Sequence, residues 1–191
     1  MSERRQLRAV MLGAPGSGKG TQAEILAREV GIPAISTGAM LRSAVASGNQ
    51  LGQRVEAIMG SGALVDDQTM GEVVRERLAE PDASGGFLLD GYPRTGDQAE
   101  NLDEILAELG VTLDAVVMMT VPEDELIRRS LLRQRADDTE EVIRNRQRVY
   151  RQQTEPLVER YERLGLLRQI DGFQSIEAVA SAVLEVLEVA E

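Results

Sequence analysis

The sequence predicts an α/β fold in which a five-stranded parallel sheet is covered by helices on both faces. Five short runs are apolar almost throughout, as expected of strands that are buried on both sides. Longer segments with helical periodicity separate these runs, which is typical of parallel strands joined by crossover helices. With 191 residues, the chain has room for a single domain with a substantial core.

The elements follow in order along the chain. Strands are predicted at 9–12, 32–36, 86–91, 114–121 and 166–171, and helices at about 19–30, 67–80, 97–109, 122–134, 139–164 and 174–189. Pro156 should kink or interrupt the fifth helix, because proline removes a helical hydrogen bond. Between 37 and 66 the pattern breaks into short helical pieces, which predicts a small insertion on the sheet. The polar stretch 133–138 is a second, much shorter irregular segment.

Composition limits the chemistry available to this chain. Cysteine and histidine are absent from the sequence, which excludes disulfides, zinc sites of the Cys/His type and histidine acid–base catalysis. The net charge of −11 and the aromatic content of 3% argue against nucleic-acid binding. No apolar run is long enough for a membrane span, and the first residues lack an apolar signal segment, so we expect a cytoplasmic protein.

A glycine-rich loop, GAPGSGKGTQ at 13–22, lies between the first strand and the first helix. Glycines let backbone amides approach phosphate oxygens closely, and the helix N-terminus adds partial positive charge. Lys19 is the only lysine among the 21 lysines and arginines, as expected if a compact ammonium is needed inside the loop. The usual pattern has Ser or Thr directly after the lysine, whereas here Gly20 intervenes and the hydroxyl lies on Thr21. A strand–helix turn without a ligand is the alternative.

The motif DGYPRT, at 90–95, follows the third predicted strand. Open α/β sheets bind ligands at the carboxyl ends of their strands, so Asp90 could hold magnesium or its waters and Arg94 could bind a phosphate. An ordinary Asp–Gly turn beside a surface arginine is the simpler alternative. The neighbouring glycine-rich loop favours the binding interpretation.

Two further segments have simple structural explanations. In STGAMLR, at 36–42, Ser36 or Thr37 would cap a helix and Arg42 would be a surface charge. In the arginine-rich stretch 128–146, most charges are explained by an exposed face with Arg–Glu pairs. Asp137 and Asp138 there are typical of a helix N-terminus. Neither segment identifies a site from its residues alone.

Taken in order, the separated motifs resemble those of adenylate kinases: GAPGSGKGTQ, STGAMLR, LVDD, DGYPRT with Gln98, RSLLR and RADDTEEVIRNR. The resemblance covers essentially the whole chain. It implies the P-loop nucleoside monophosphate kinase fold, with an AMP-binding flap at about 37–66 and a very short lid at about 133–138. The implied reaction is reversible transfer of a phosphoryl group from ATP to AMP, giving two ADP, with magnesium and without zinc. A monomer without nucleic-acid or membrane partners is implied as well.

The resemblance also implies roles for individual residues. ATP would be bound by Gly16, Ser17, Gly18, Lys19, Gly20, Thr21, Arg129 and Gly172. AMP would be bound by Thr37, Arg42, Leu64, Val65, Gly91, Arg94, Gln98, Arg135 and Arg146. The catalytic set would be Lys19, Arg94, Arg129, Arg133, Arg135 and Arg146. Asp90 would order the waters of magnesium, and Thr21 is a second candidate for contact through water.

Three positions qualify the resemblance. Ala39 stands where the family commonly has Asp, which weakens the start of the flap helix. Gln134 lies in the lid where short-lid members often have Gly, which puts lid flexibility in doubt. Asp137 matches an acidic lid position, with helix capping as the alternative.

Two competing functions are considered. A UMP/CMP-type kinase would share the loop and the arginines, but Thr37 and Gln98 fit an adenine acceptor better. A regulatory protein that only senses or hydrolyses ATP would need no acceptor site, and both Arg42 and Arg94 argue against it.

Overall fold

The computed structural model describes residues 6–133 and 138–188. Its strands are β1 (Arg8–Gly13), β2 (Ala34–Ser36), β3 (Phe87–Asp90), β4 (Ala115–Thr120) and β5 (Leu167–Asp171). They form one parallel sheet in the order β2-β3-β1-β4-β5. The predicted five-stranded parallel sheet is confirmed, although β2 begins at Ala34 rather than at Ile32.

Helices connect the strands and cover the sheet. They are α1 (Lys19–Val30), α2 (Thr37–Ser47), α3 (Gln50–Ser61), α4 (Asp67–Leu78), α5 (Gly96–Glu108), α6 (Glu123–Leu132), α7 (Glu140–Val149), α8 (Leu157–Arg163) and α9 (Ile176–Glu188). A short 3-10 turn, Pro81–Ala83, precedes β3. In the part of the chain that the structure describes, no helix is long and apolar enough to cross a membrane.

The single helix predicted at 139–164 is wrong as one continuous element. After α7 the chain forms a π-helix over Tyr150–Thr154, in which the Glu155 amide bonds to the Tyr150 carbonyl. Pro156 then precedes α8. The interruption predicted at Pro156 is confirmed, but the helix already widens at Tyr150.

Alternate residues of the strands pack on opposite faces of the sheet, as their period of two requires. Val10 and Leu12 of β1 face a core that includes residues of α4, α5 and α8. Ala9 and Met11 face a second core, formed with α1 and α9. Helices therefore cover both faces, and only the sheet edges and strand ends remain for a site.

The irregular segment between β2 and α4 consists of the helices α2 and α3. Gly52 of α3 lies so close to α2 that a methyl group in its place would overlap the Ala44 carbonyl. This close approach holds the two helices together at one end of the sheet, where α2 begins directly after β2.

Candidate active site

The carboxyl ends of the strands open into one cleft of about 600 Å³. Such a cleft is the usual ligand site of an open α/β sheet. Every described residue for which the sequence analysis expected a binding or catalytic role lines it. These are Gly16, Ser17, Gly18, Lys19, Gly20, Thr21, Thr37, Arg42, Leu64, Val65, Asp90, Gly91, Arg94, Gln98, Arg129, Arg133, Arg146 and Gly172.

The glycine loop connects the end of β1 to the start of α1. Gly16 and Gly18 have φ angles of 90° and 97°, which disfavour residues with a side chain. A Cβ on Gly16 would also lie 2.5 Å from the Leu126 carbonyl oxygen. Lys19 begins α1, and its ammonium group donates to the Ala14 carbonyl at 3.0 Å. The loop thus holds its amides and one cation at the helix N-terminus, an arrangement that favours anions.

Asp90 ends β3 opposite the first turn of α1. Its Oδ2 accepts a hydrogen bond from the Ser36 hydroxyl at 3.3 Å and lies 3.5 Å from the Cβ position of Gly20. The exposed hydroxyl residue Thr21 follows on α1. Among the described residues there is no group of three carboxylates that could enclose a metal. A site with so few oxygen ligands from the protein suits a magnesium ion that keeps most of its coordinated waters.

On the opposite side of the cleft, β2, α2 and the loop after β3 meet. The Thr37 hydroxyl donates to the Asp90 carbonyl at 3.3 Å. Gly91 has a φ of 88°, and a Cβ there would lie 2.6 Å from the Thr37 hydroxyl. The Arg94 guanidinium lines the cleft and donates from Nε to the Gly91 carbonyl at 2.8 Å.

The Arg94 guanidinium lies near one carboxylate and two other guanidinium groups. Burial lowers its pKa, the Asp90 carboxylate acts in the opposite direction, and the charges of Arg146 and Arg42 lower it further. A guanidinium remains protonated under these conditions. Three guanidinium groups near one another favour a ligand that carries several negative charges.

Arg129 of α6 contacts the segment that follows β5. Its Nε donates to Glu125 at 2.6 Å, and its Nη1 donates to the Gly172 carbonyl at 3.1 Å. Two residues expected to contact ATP are therefore in contact with each other. Glu125 was missed by the sequence analysis, although its i,i+4 spacing to Arg129 could have indicated it.

The remaining arginines meet at a buried carboxylate. Arg133 donates to both oxygens of Asp138, at 2.8 and 3.0 Å, and Arg146 donates to Oδ1 at 2.8 Å. The Asp138 side chain is fully buried. A helix does begin in this segment, at Glu140; Thr139 is its N-cap and accepts from the Val142 amide, and Asp138 directly precedes the cap. Arg135, together with Gln134 and Asp137, lies outside the described residues.

The comparisons agree with this geometry. The family model described as adenylate kinase matches residues 11–166. The chain is 50% identical over 186 residues to an adenylate kinase of Thermobifida fusca, covering 95% of this chain and 98% of the relative. It is 46% identical over 181 residues to one of Nocardia farcinica, covering 95% and 99%. It is also 46% identical over 187 residues to one of a Nocardioides species, covering 96% and 98%.

The chain belongs to the adenylate kinase family. It is therefore an enzyme, a phosphotransferase that converts ATP and AMP to two ADP. The alternative of a UMP/CMP-type kinase is not favoured, because the named relatives are adenylate kinases.

The segment 36–42, for which the sequence allowed a simple structural explanation, can now be compared with the structure. Ser36, rather than Thr37, is the N-cap of α2, and its hydroxyl accepts from the Ala39 amide at 3.4 Å. Arg42 is half-buried and lines the cleft, so its interpretation as an ordinary surface charge is wrong.

Proposed function

We propose that the cleft holds ATP on the glycine-loop side and AMP on the side of α2 and α3, so that the phosphoryl group passes between them. One observation carries this proposal. Lys19 at the start of α1 shares a single cleft with Arg42, Arg94, Arg129, Arg133 and Arg146, which come from different parts of the fold. Phosphoryl transfer needs such positioning and charge more than it needs covalent chemistry.

On the donor side, the amides of the loop and Lys19 would bind the ATP phosphates. The positive φ angles of Gly16 and Gly18 turn the backbone so that its amides can approach phosphate oxygens. Arg129 would lie beside the adenine of ATP, fixed there by Glu125 and the Gly172 carbonyl. Ser17, Gly20 and Thr21 complete this side.

On the acceptor side, Arg42 and Arg94 would bind the phosphate of AMP. Burial of Arg94 strengthens this interaction, because charge attraction is less screened away from water. Thr37, Leu64, Val65, Gly91 and Gln98 would surround the base and sugar. The segment 37–66 would then act as an AMP-binding flap, as its two packed helices α2 and α3 allow.

Arg133 and Arg146 would close on the transferring group, with Arg135 in the same role. Asp138 holds the first two together, and both line the cleft. The segment 133–138 would form a short lid. Closure would exclude water, which otherwise competes with AMP for the phosphoryl group.

Magnesium would be bound through water beside Asp90, with Thr21 as a second contact through water. When bound, the metal supplies positive charge that neutralises the phosphate oxygens. The role of this chain is to hold the Asp90 carboxylate in place, which the hydrogen bond from Ser36 does.

The test uses purified protein with ATP and, in separate reactions, AMP, UMP, CMP, GMP or no acceptor, with products separated by chromatography. ADP should form rapidly only with AMP and magnesium, and chelation should stop it. Lys19→Met should lower kcat roughly a hundredfold or more, because it removes charge stabilisation of the transition state. Arg28→Met removes an exposed cation from the same helix and should leave the rate unchanged.

Each outcome decides between functions. Preference for UMP or CMP would overturn the assignment of the acceptor side to AMP. Slow ATP loss that does not depend on an acceptor would identify a nucleotide sensor or hydrolase. Equal rates for Lys19→Met and wild type would remove Lys19 from the transfer site.

We further propose a monomer that acts in the cytoplasm, with ATP, AMP and ADP as its only partners. A net charge of −11 would repel nucleic acid. Sedimentation at working concentration should give the mass of a single chain, and a dimer mass would contradict this.

A further inference from the structure

The amide of Gln98 is held in one orientation. Gln98 is only 2% exposed. Its Nε2 donates to Asp67 Oδ1 at 2.8 Å, and its Oε1 accepts from the Arg94 backbone amide at 2.8 Å. A carboxylate can only accept and a backbone N–H can only donate. A flipped amide would therefore lose both hydrogen bonds.

Asp67 is itself fixed by its neighbours. It lies in the first turn of α4, half-buried, and its Oδ1 also accepts from the Thr95 hydroxyl at 3.0 Å. That hydroxyl is also the N-cap of α5, because it accepts from the backbone N–H of Gln98 at 3.1 Å. The carboxylate thus joins the starts of two helices and faces the side-chain amide of Gln98.

We propose that Asp67 is a positioning residue that sets the base specificity of the acceptor site. The inference rests on the proposed function, in which Gln98 contacts the acceptor base. With its orientation fixed, Gln98 keeps one free N–H on Nε2 and one lone pair on Oε1. That lone pair can accept from the 6-amino group of adenine. The 6-oxo group of guanine or hypoxanthine would place a second acceptor against it.

The cost of this mismatch gives the selectivity. If Gln98 Oε1 and the 6-oxo group face each other in a buried site, neither oxygen has a hydrogen-bond donor. The free-energy cost is larger than that of losing one exposed hydrogen bond. If the amide could rotate, Nε2 would donate to the 6-oxo group and the penalty would fall. Asp67 and the Arg94 amide together prevent that rotation. Asp67 is the one of the two that a substitution can change.

Asp67→Asn tests this inference at nearly constant volume. The new amide can present either an oxygen or an N–H to Gln98, so the restraint is weakened. We expect the ratio of kcat/KM for AMP over inosine monophosphate to fall about tenfold, as for loss of a hydrogen bond to a charged group. Binding of both nucleotides, measured by calorimetry without ATP, should show a similar fall. Thermal melting would show that the fold is retained.

Asp66→Asn is the matched control. Asp66 is exposed and caps α4 by accepting from the Thr69 amide at 2.8 Å, and asparagine caps about as well as aspartate. This variant removes the same charge one position away and should keep the wild-type ratio.

The outcomes separate the two proposals. An unchanged AMP-over-inosine ratio in Asp67→Asn, or an equal loss for both nucleotides, would overturn the role of Asp67 alone. Wild-type protein without preference for AMP over inosine monophosphate would overturn it too. Selective AMP binding without ADP formation would overturn the proposed function, while the calorimetric ratios would still decide the role of Asp67.

Discussion

The Thr154 hydroxyl donates a hydrogen bond to the main-chain carbonyl of Arg94 at 2.8 Å. Thr154 is buried and ends the π-helix that follows α7. Arg94 lies in the loop after β3, on the proposed acceptor side of the cleft. The widened helix therefore has a specific contact with the site, in line with the frequent occurrence of π-helical turns near functional residues.

Thr154→Val should weaken this contact at nearly constant volume. The free energy of unfolding should fall by about 1 kcal/mol, because the Arg94 carbonyl loses a buried partner. The KM for AMP should rise, whereas the KM for ATP should stay close to wild type. Urea unfolding and steady-state kinetics measure both effects. Thr154→Ser retains the hydroxyl and should keep the wild-type KM for AMP, although loss of its buried methyl group should lower the free energy of unfolding by about 1 kcal/mol. A KM for AMP that rises equally in the Val and Ser variants would contradict the prediction.

Asp138→Asn should separate Arg133 and Arg146, the two arginines proposed to close on the transferring group. The buried carboxylate accepts from Arg133 and Arg146, and asparagine can accept from them only weakly without its charge. Both arginines are partly exposed, so we expect a loss of about 1–3 kcal/mol in the free energy of unfolding rather than the full cost of a broken buried pair. Because the arginines would be less well placed, kcat should also fall.

The pair of Glu140 and Arg144 provides the control for this change. Both side chains are 62% exposed, and their separation is 2.8 Å. Glu140→Gln should change the free energy of unfolding by less than about 0.5 kcal/mol and leave kcat unaltered. If Asp138→Asn were as mild as Glu140→Gln, the buried carboxylate would have no role in holding the arginines.

The sheet could be predicted because each strand can be recognised from its own residues, without knowledge of distant contacts. Apolar strands such as Ala115–Thr120 show their burial directly in their composition, and the glycines of the loop show where the backbone must turn. The residues of the cleft could be located through separated motifs, since parallel strands place their carboxyl ends together. Whether each has its expected role stays a prediction.

Contacts between distant segments could not be predicted in this way. Nothing near Asp138 indicates that Arg133 and Arg146 enclose it, because the acids that follow it are equally typical of a helix start. The partner of the Gln98 side-chain N–H is Asp67, which lies 31 residues earlier, at the start of α4. Pro156 indicated an interruption, but the π-helix depends on packing around Tyr150 and Thr154 that no local pattern encodes.

Glu125 should contribute to acid unfolding. Hydrogen bonds from Arg128 and Arg129 lower its pKa to about 2, from an ordinary value of 4.5. A group with a lowered pKa in the folded state stabilises the fold above pH 4.5, and this stabilisation is lost as the pH falls towards 2. Glu125→Gln should flatten the pH dependence of the free energy of unfolding in this range. If urea unfolding gave the same pH dependence of the free energy of unfolding for variant and wild type below pH 4.5, this prediction would be contradicted.

Gly52 and Gly60 offer a comparison within one helix, α3. A methyl group on Gly52 would overlap the backbone of Ala44 and Val45 in α2, whereas nothing lies within 4 Å of one on Gly60. Gly60→Ala should therefore raise the free energy of unfolding by about 0.5–1 kcal/mol through helix propensity alone. Gly52→Ala gains the same propensity but must push α2 away, and we expect a net loss of about 1–3 kcal/mol.

The displacement of α2 should also reach the site, because α2 begins at Thr37 and carries Arg42. Gly52→Ala should raise the KM for AMP and leave the KM for ATP nearly unchanged, since α3 packs mainly on α2. Gly60→Ala should alter neither. If Gly52→Ala lost stability but kept the wild-type KM for AMP, the position of α2 would not determine acceptor binding, and Arg42 and Thr37 would have to be removed from the acceptor side.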